Sequence, residues 1–253
     1  MTDERAVAWF SCGAASAVAA KLAQTKYGDR LEVVYCDTMA TEHPDNARFF
    51  ADVEHWLGQP ITIIKSDRYD TVDDVFEQRR YLSGVAGALC TVEMKKVPRF
   101  DFQRADDIHI FGYTASEGTR IKRLRQANPE LALDFILHAA GYKKADCFAA
   151  LRKAGIELPA MYGLGYHNNN CLGCVKATSF QYWQAIRHDF PEVFERRVRQ
   201  SRELGVRLAR VNGQRVFLDE LPDGYNPRNK NGQDDLSCGP ECQLSLLDQE
   251  VLS

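Results

Sequence analysis

The chain has 253 residues, 45% of them hydrophobic, enough to bury a sizeable core as one large domain or one domain with an appendage, so disorder is not its default state. A formal net charge of −3 excludes a global basic field for nucleic acid or anionic membrane, although residues 120–125 form a local basic run. The acidic, short N-terminal stretch does not read as a signal peptide, and no window approaches the roughly 18 apolar residues of a membrane span. A cytoplasmic protein without membrane contact is expected.

The apolar run 6–10 ends at Ser11-Cys12-Gly13, and an alanine-rich stretch without breakers follows, which reads as strand, tight turn, helix. Residues 31–38 form a second strand, and 45–58 a helix stopped by Gly58. Residues 61–66 read as a third strand, 71–80 as a helix and 107–114 as a fourth strand. Strands alternating with helices predict a parallel sheet covered on both faces, with ligands beyond the strand carboxyl ends. Those ends carry Ser11, Asp37, Ser66 and Gly112. From 128 to 155 the pattern is mixed and helical; further helices are expected at 180–187 and 191–204. Two short strands flank the Asn212-Gly213 turn, and the tail from Pro222 reads as a long loop or arm. The expected division is a nucleotide-binding domain over 1–190 and an extension over 191–253.

Eight cysteines in a reducing compartment point to metal or catalysis before disulfides. Cys12, Cys36 and Cys147 sit in apolar or helical contexts and read as buried small side chains. Cys90, Cys171, Cys174, Cys238 and Cys242 lie beside polar or glycine-containing turns. By itself the pair Cys171-x-x-Cys174 is open to zinc, to a redox dithiol, or to part of an iron–sulfur cluster. The small residues of "SCGAAS" (11–16) let backbone N–H groups approach an anion at a helix N-terminus. That reading competes with plain strand–helix packing. Asp37, at a strand end, suits a ribose hydroxyl, a metal, or a helix cap.

Five segments occur in a set order: "SCGAAS", then "DTMATEHPDNARF" from Asp37, "CTVEMKKVP" from Cys90, "GYTASEGTR" from Gly112, and "LPAMYGLGYHNNNCLGC" ending at Cys174. Together they resemble the PP-loop adenine-nucleotide alpha-hydrolase superfamily. Within it they resemble the phosphoadenosine phosphosulfate (PAPS) and adenosine phosphosulfate (APS) reductase family, in a branch common in phage and prophage genomes. The resemblance spans about residues 6–190. It implies an α/β fold with a PP-loop, Rossmann-like parallel sheet of about five strands between helices, followed by a helical, cysteine-bearing extension. It also implies a nucleotide site made by Ser11, Gly13, Ser16, Asp37, Thr38, Lys95, Lys96, Gly112, Glu117 and Arg120. Arg123 is a further candidate for gripping phosphate or sulfate.

Two departures bear on the chemistry. Ala15 stands where ATP-cleaving members carry a magnesium-binding Asp, which favours an already activated nucleotide. Leu89 replaces the first of the paired cysteines of the iron–sulfur APS reductases, so Cys90, Cys171 and Cys174 supply three of that family's cluster ligands. With the resemblance, a 4Fe–4S cluster fits this cysteine set better than zinc or a lone dithiol. "SCGPEC" (237–242) resembles the family's catalytic cysteine segment without its Glu and His. Cys238 is then the expected nucleophile, with Cys242 resolving it or completing the cluster; either can instead be the fourth ligand. The implied reaction is reduction of APS or PAPS to sulfite with a thioredoxin-like dithiol donor. The alternatives are ATP-dependent sulfur transfer to tRNA or DNA, and non-catalytic nucleotide binding by a phage protein. Self-association is compatible with all three.

Overall fold

A computed structural model of the chain describes residues 4–84 and 87–226. Strand β1, Ala6–Phe10, is buried along its whole length. Side chains alternate across a strand, so Ala6, Ala8 and Phe10 enter one core while Val7 and Trp9 enter another. Around it stand β2 (Leu31–Cys36), β3 (Ile61–Ile64), β4 (Ile108–Phe111) and β5 (Ala132–Asp134). The order is β3-β2-β1-β4-β5 and every pairing is parallel. At the amino ends Arg5 grips Asp107 with two hydrogen bonds, of 2.8 and 2.7 Å, and donates another to Glu32 at 2.8 Å. The sheet is thus pinned at the end opposite its carboxyl edges.

Helix α1 (Ala14–Tyr27) follows β1, and its small Ala17, Ala20 and Ala23 allow close approach to the sheet. Helix α2 (Asn46–Leu57) ends, as the sequence predicts, at left-handed Gly58 (φ 68°). Helix α3 (Val72–Arg79) starts in a capping box between Thr71 and Asp74. Residues 89–102 run as α4 (Leu89–Thr91), a π-helical stretch Val92–Lys96, and α5 (Val97–Phe102). Then come α6 (Gly118–Ala127), α7 (Ile136–Ala139), α8 (Lys144–Lys153), α9 (Ala160–Gly163), α10 (Phe180–Asp189) and α11 (Pro191–Glu203). Side chains from α1, α2, α7 and α8 cover one face of the sheet; Phe102 of α5 and Ile121 and Leu124 of α6 cover the other.

A second core lies beside the sheet, built on Phe76, Met94, Tyr166, Trp183, Phe194 and Leu218. Residues on both sides of position 190 contribute to it, and Cys90 and Cys171 pack against it. The hairpin expected at Asn212-Gly213 forms from β6 (Ala209–Val211) and β7 (Gln214–Val216), with both turn residues at positive φ (49° and 82°). The expected four strands are present, and the fifth is β5, inside the stretch read as helical.

Candidate functional site

The strand order reverses between β1 and β4, the point at which parallel sheets bind ligands beyond their carboxyl ends. A cavity of about 180 Å³ opens there. Trp9 and Phe111, paired across the two strands, line it, with rings stacked 6.5 Å apart. Ser11, Gly13 and Ser16 line it from the loop after β1; Gly112, Glu117 and Arg120 do so from the segment after β4. Lys95 adds a cation from the π-helical stretch, and Cys171 a thiol.

The loop after β1 is built to present backbone N–H groups. Ser16 Oγ donates to Gly13 O at 2.9 Å and accepts from Ser11 N at 3.1 Å and from Ser11 Oγ at 3.2 Å. Ser16 therefore holds the loop closed more than it offers a donor outward. Helix α1 has no cap from its own N-cap residue, Gly13, and no acid in its first turn, so its positive end faces the cavity without a carboxylate of its own. Cys12 sits at φ 52° with its side chain fully buried. Burial pushes its thiol pKa far up, which makes it an inert packing group.

Gly112 explains the close fit of β4 to this loop. A Cβ there would lie 2.7 Å from Ser16 N and 2.8 Å from its Cα, against backbone that cannot yield. Gly112→Ala is expected to cost about 1–3 kcal/mol as overpacking and to displace the first turn of α1. Urea melts and ligand titration of the variant check this; an unchanged affinity and midpoint would refute it.

The segment after β4 is self-contained. Glu117 accepts from Thr114 N and Thr114 Oγ1, both at 2.9 Å, and pairs with Arg120. The Arg120 guanidinium lies 4.5 Å from the Tyr113 ring centroid. Lys144 projects from α8 to the same cavity, donating to Asn168 Oδ1 at 2.9 Å and to His167 O.

The remaining expected residues stand apart from the cavity lining. Asp37 turns back to accept from Met39 N at 3.1 Å and pairs with Lys65 at 3.3 Å, the capping role left open above. Thr38 is buried and donates to Glu42 at 2.6 Å. Lys96 is 2% exposed, and Lys95 is 7% exposed even though it reaches the cavity. Both are packed into the helix, and only Lys95 lines the cavity. Cys238 and Cys242 lie outside the described residues.

All-thiolate donor sets suit iron–sulfur clusters and zinc. Burial first, and then the charges of Cys174 and Cys171, push the Tyr182 hydroxyl pKa up. Cys174 N also donates to Tyr182 Oη at 2.9 Å. Yet among the described residues no three His, Cys, Asp or Glu side chains are gathered to hold a metal ion. Cys90, Cys171 and Cys174 are therefore not gathered into a metal-holding group among the described residues.

Several wall residues escape sequence reasoning. Glu42, Tyr162, Asn169 and Lys144 line the cavity. Tyr162 Oη accepts from Ala14 N at 3.4 Å, the first N–H of α1, and burial raises its pKa to about 12. Tyr162 and Asn169 fall in the segment approaching the C-x-x-C, but nothing local marks them as partners of a loop some 150 residues earlier.

No family model matches the chain, and no curated protein matches it in sequence. Its coordinates align with the crystal structure of phosphoadenylyl-sulfate (PAPS) reductase from Candida auris in its phosphate complex. The TM-score is 0.51 at 12% identity, over 66% of this chain and 81% of that one. The fold is PAPS reductase-like. The expected α/β architecture with its five-stranded parallel sheet is therefore correct. No helix among the described residues is long and apolar enough to cross a membrane.

Proposed function

We propose that the protein is an adenine-nucleotide-dependent sulfur enzyme of the sulfonucleotide reductase type, acting on APS or PAPS. One observation carries the reading: a single cavity at the strand switch point joins the α1 N-terminus, Lys95, Arg120 and Lys144 to a thiol, Cys171. The cations and N–H groups suit the phosphate–sulfate group, and Trp9 and Phe111 offer apolar surface beneath it. A thiolate attacks the sulfate sulfur, the bond from sulfur to the bridging oxygen breaks, and the nucleotide leaves as its phosphate. A second thiol then attacks the sulfur of the modified cysteine, releasing sulfite and leaving a disulfide for a dithiol donor to reduce. Cys238 is the proposed nucleophile and Cys242 its partner.

Calorimetry with AMP, ATP, APS and PAPS tests the binding step; Ser16→Ala is expected to weaken it by about 1–3 kcal/mol, the scale of a lost multiple hydrogen bond. Incubation with APS or PAPS without reductant is expected to add about 80 Da to the intact chain, as nucleophilic capture of SO₃ requires, and to add nothing to Cys238→Ser. Binding of none of the four nucleotides would refute the reading. The iron–sulfur expectation rests on the cysteine pattern and is checked on the same material, purified anaerobically, by iron and sulfide counts.

A second reading is an ATP-dependent sulfurtransferase acting on tRNA or DNA. It draws on α6, which carries Arg120 at the cavity and exposes Lys122, Arg123 and Arg125 beyond it. Release of AMP and pyrophosphate from ATP only when tRNA or DNA is added would favour it.

A further inference from the structure

Asn169 sits two residues before Cys171, is 7% exposed, and reaches back across the fold. Its Nδ2 donates to Cys12 O at 2.7 Å and to Asn46 Oδ1 at 2.8 Å. The orientation of this amide is fixed by chemistry, because a backbone carbonyl can only accept. Asn46 is fixed in turn: its Nδ2 donates to Glu42 at 2.6 Å, leaving Oδ1 for Asn169. The other Glu42 oxygen accepts from Thr38 at 2.6 Å. Backbone N–H groups of both Ala14 and Asn169 lead to the Tyr162 hydroxyl. Two braces therefore run from the segment before the C-x-x-C to the loop at the mouth of α1. One holds the Cys12 carbonyl, at a residue forced to positive φ, and the other holds the first amide of the helix.

We propose that Asn169 is a positioning residue, which holds the Ser11–Ser16 loop in its anion-binding shape and ties that loop to the Cys171 side of the cavity. A left-handed, non-glycine residue is strained and persists only when its surroundings determine it. The carbonyl clamp from Asn169 supplies that determination. The link with nucleotide rests on the proposed function; the positioning of the loop does not.

Asn169→Asp keeps the shape but sets a carboxylate oxygen against two acceptors. Tyr162→Phe removes only a hydroxyl and serves where the first variant does not fold. Each is followed by melting temperature, by titration with AMP and APS, and by the rate at which Cys12 reacts with a small maleimide. In Asn169→Asp, whose buried carboxylate lowers the melting temperature, Cys12 labelling is expected to rise at least tenfold and nucleotide affinity to fall at least tenfold at temperatures where the variant remains folded. Tyr162→Phe is expected to show both effects, severalfold. If wild type binds neither nucleotide while the variants still label faster, the positioning role stands and the nucleotide reading falls. Labelling and affinity equal to wild type in both folded variants overturn the proposal.

Discussion

Arg197→Met is expected to destabilise the protein by about 3–5 kcal/mol, the cost of stranding one partner of a buried ion pair. The Arg197 side chain is 1% exposed and pairs with Asp73, with a further hydrogen bond to Gln200 Oε1 at 2.6 Å. Its Nε donates to Gly173 O at 3.0 Å, inside the C-x-x-C turn. Gly173 has φ 62°, and a Cβ there would lie 2.7 Å from Val193 Cγ1, so α11 packs directly on the turn. Removing the guanidinium takes from Asp73 its buried cation, leaving it only Gln200 and the exposed Arg196, and frees the turn that carries both thiols. Urea unfolding measures the loss; a change below about 1 kcal/mol would place the pair among those that only break even. Faster alkylation of Cys171 should accompany it.

Asp73 also gives this network a pH signature. Burial alone would raise its pKa, but the charge and hydrogen bonds of Arg197, with Gln200 and Arg196, carry it below the usual carboxylate value. A depressed carboxylate contributes its stability above the unfolded value of about 3.9 and loses it as pH falls through the lower folded one. The Arg197 effect should therefore be full at neutral pH and shrink only in strong acid.

The sheet is legible in the sequence because each of its first four strands is a short apolar run ended by polar or glycine residues. The helix end at Gly58 and the Asn212-Gly213 hairpin are legible for a local reason too: each needs a positive φ that glycine and asparagine tolerate. Strand β5 is not, since three residues, Ala132, Leu133 and Asp134, carry no period. The burial of Lys95 and Lys96 is not legible either, because it follows from the π-helical stretch and its packing, not from their type. The site divides the same way. Ser11, Gly13 and Gly112 sit at strand ends that any parallel sheet turns toward ligand. Glu42, Tyr162 and Asn169 act through contacts between distant segments, such as Asn169 with Cys12, which no local pattern encodes.

Between pH 6.5 and 4 the protein is expected to lose about 3 kcal/mol of stability through one group, His109, whose folded pKa is lowered to about 4. The ring is fully buried in β4, stacked on Trp9 and Phe111 beneath the cavity. Burial disfavours its charged form first; Arg99 repels the proton, and the pull of Asp107 only partly offsets this. The Trp9 indole N–H donates to His109 Nδ1 at 3.1 Å, which fixes the neutral ring as the acceptor there. Since the folded value lies below the unfolded one of about 6.5, the unfolded chain binds the extra proton throughout that window. Stability is full above pH 6.5, falls as pH drops to about 4, and takes no further loss from this group below. His109→Gln keeps an acceptor for the indole and removes the titration. Urea midpoints at pH 7, 5.5 and 4 should fall steeply for wild type and nearly level off for the variant. Equal slopes in the two proteins would show that His109 does not carry the acid sensitivity. Trp9 and Phe111 also line the cavity, and protonating His109 removes the acceptor of the Trp9 indole N–H. Nucleotide affinity should then weaken in the same pH window in wild type and stay level in His109→Gln.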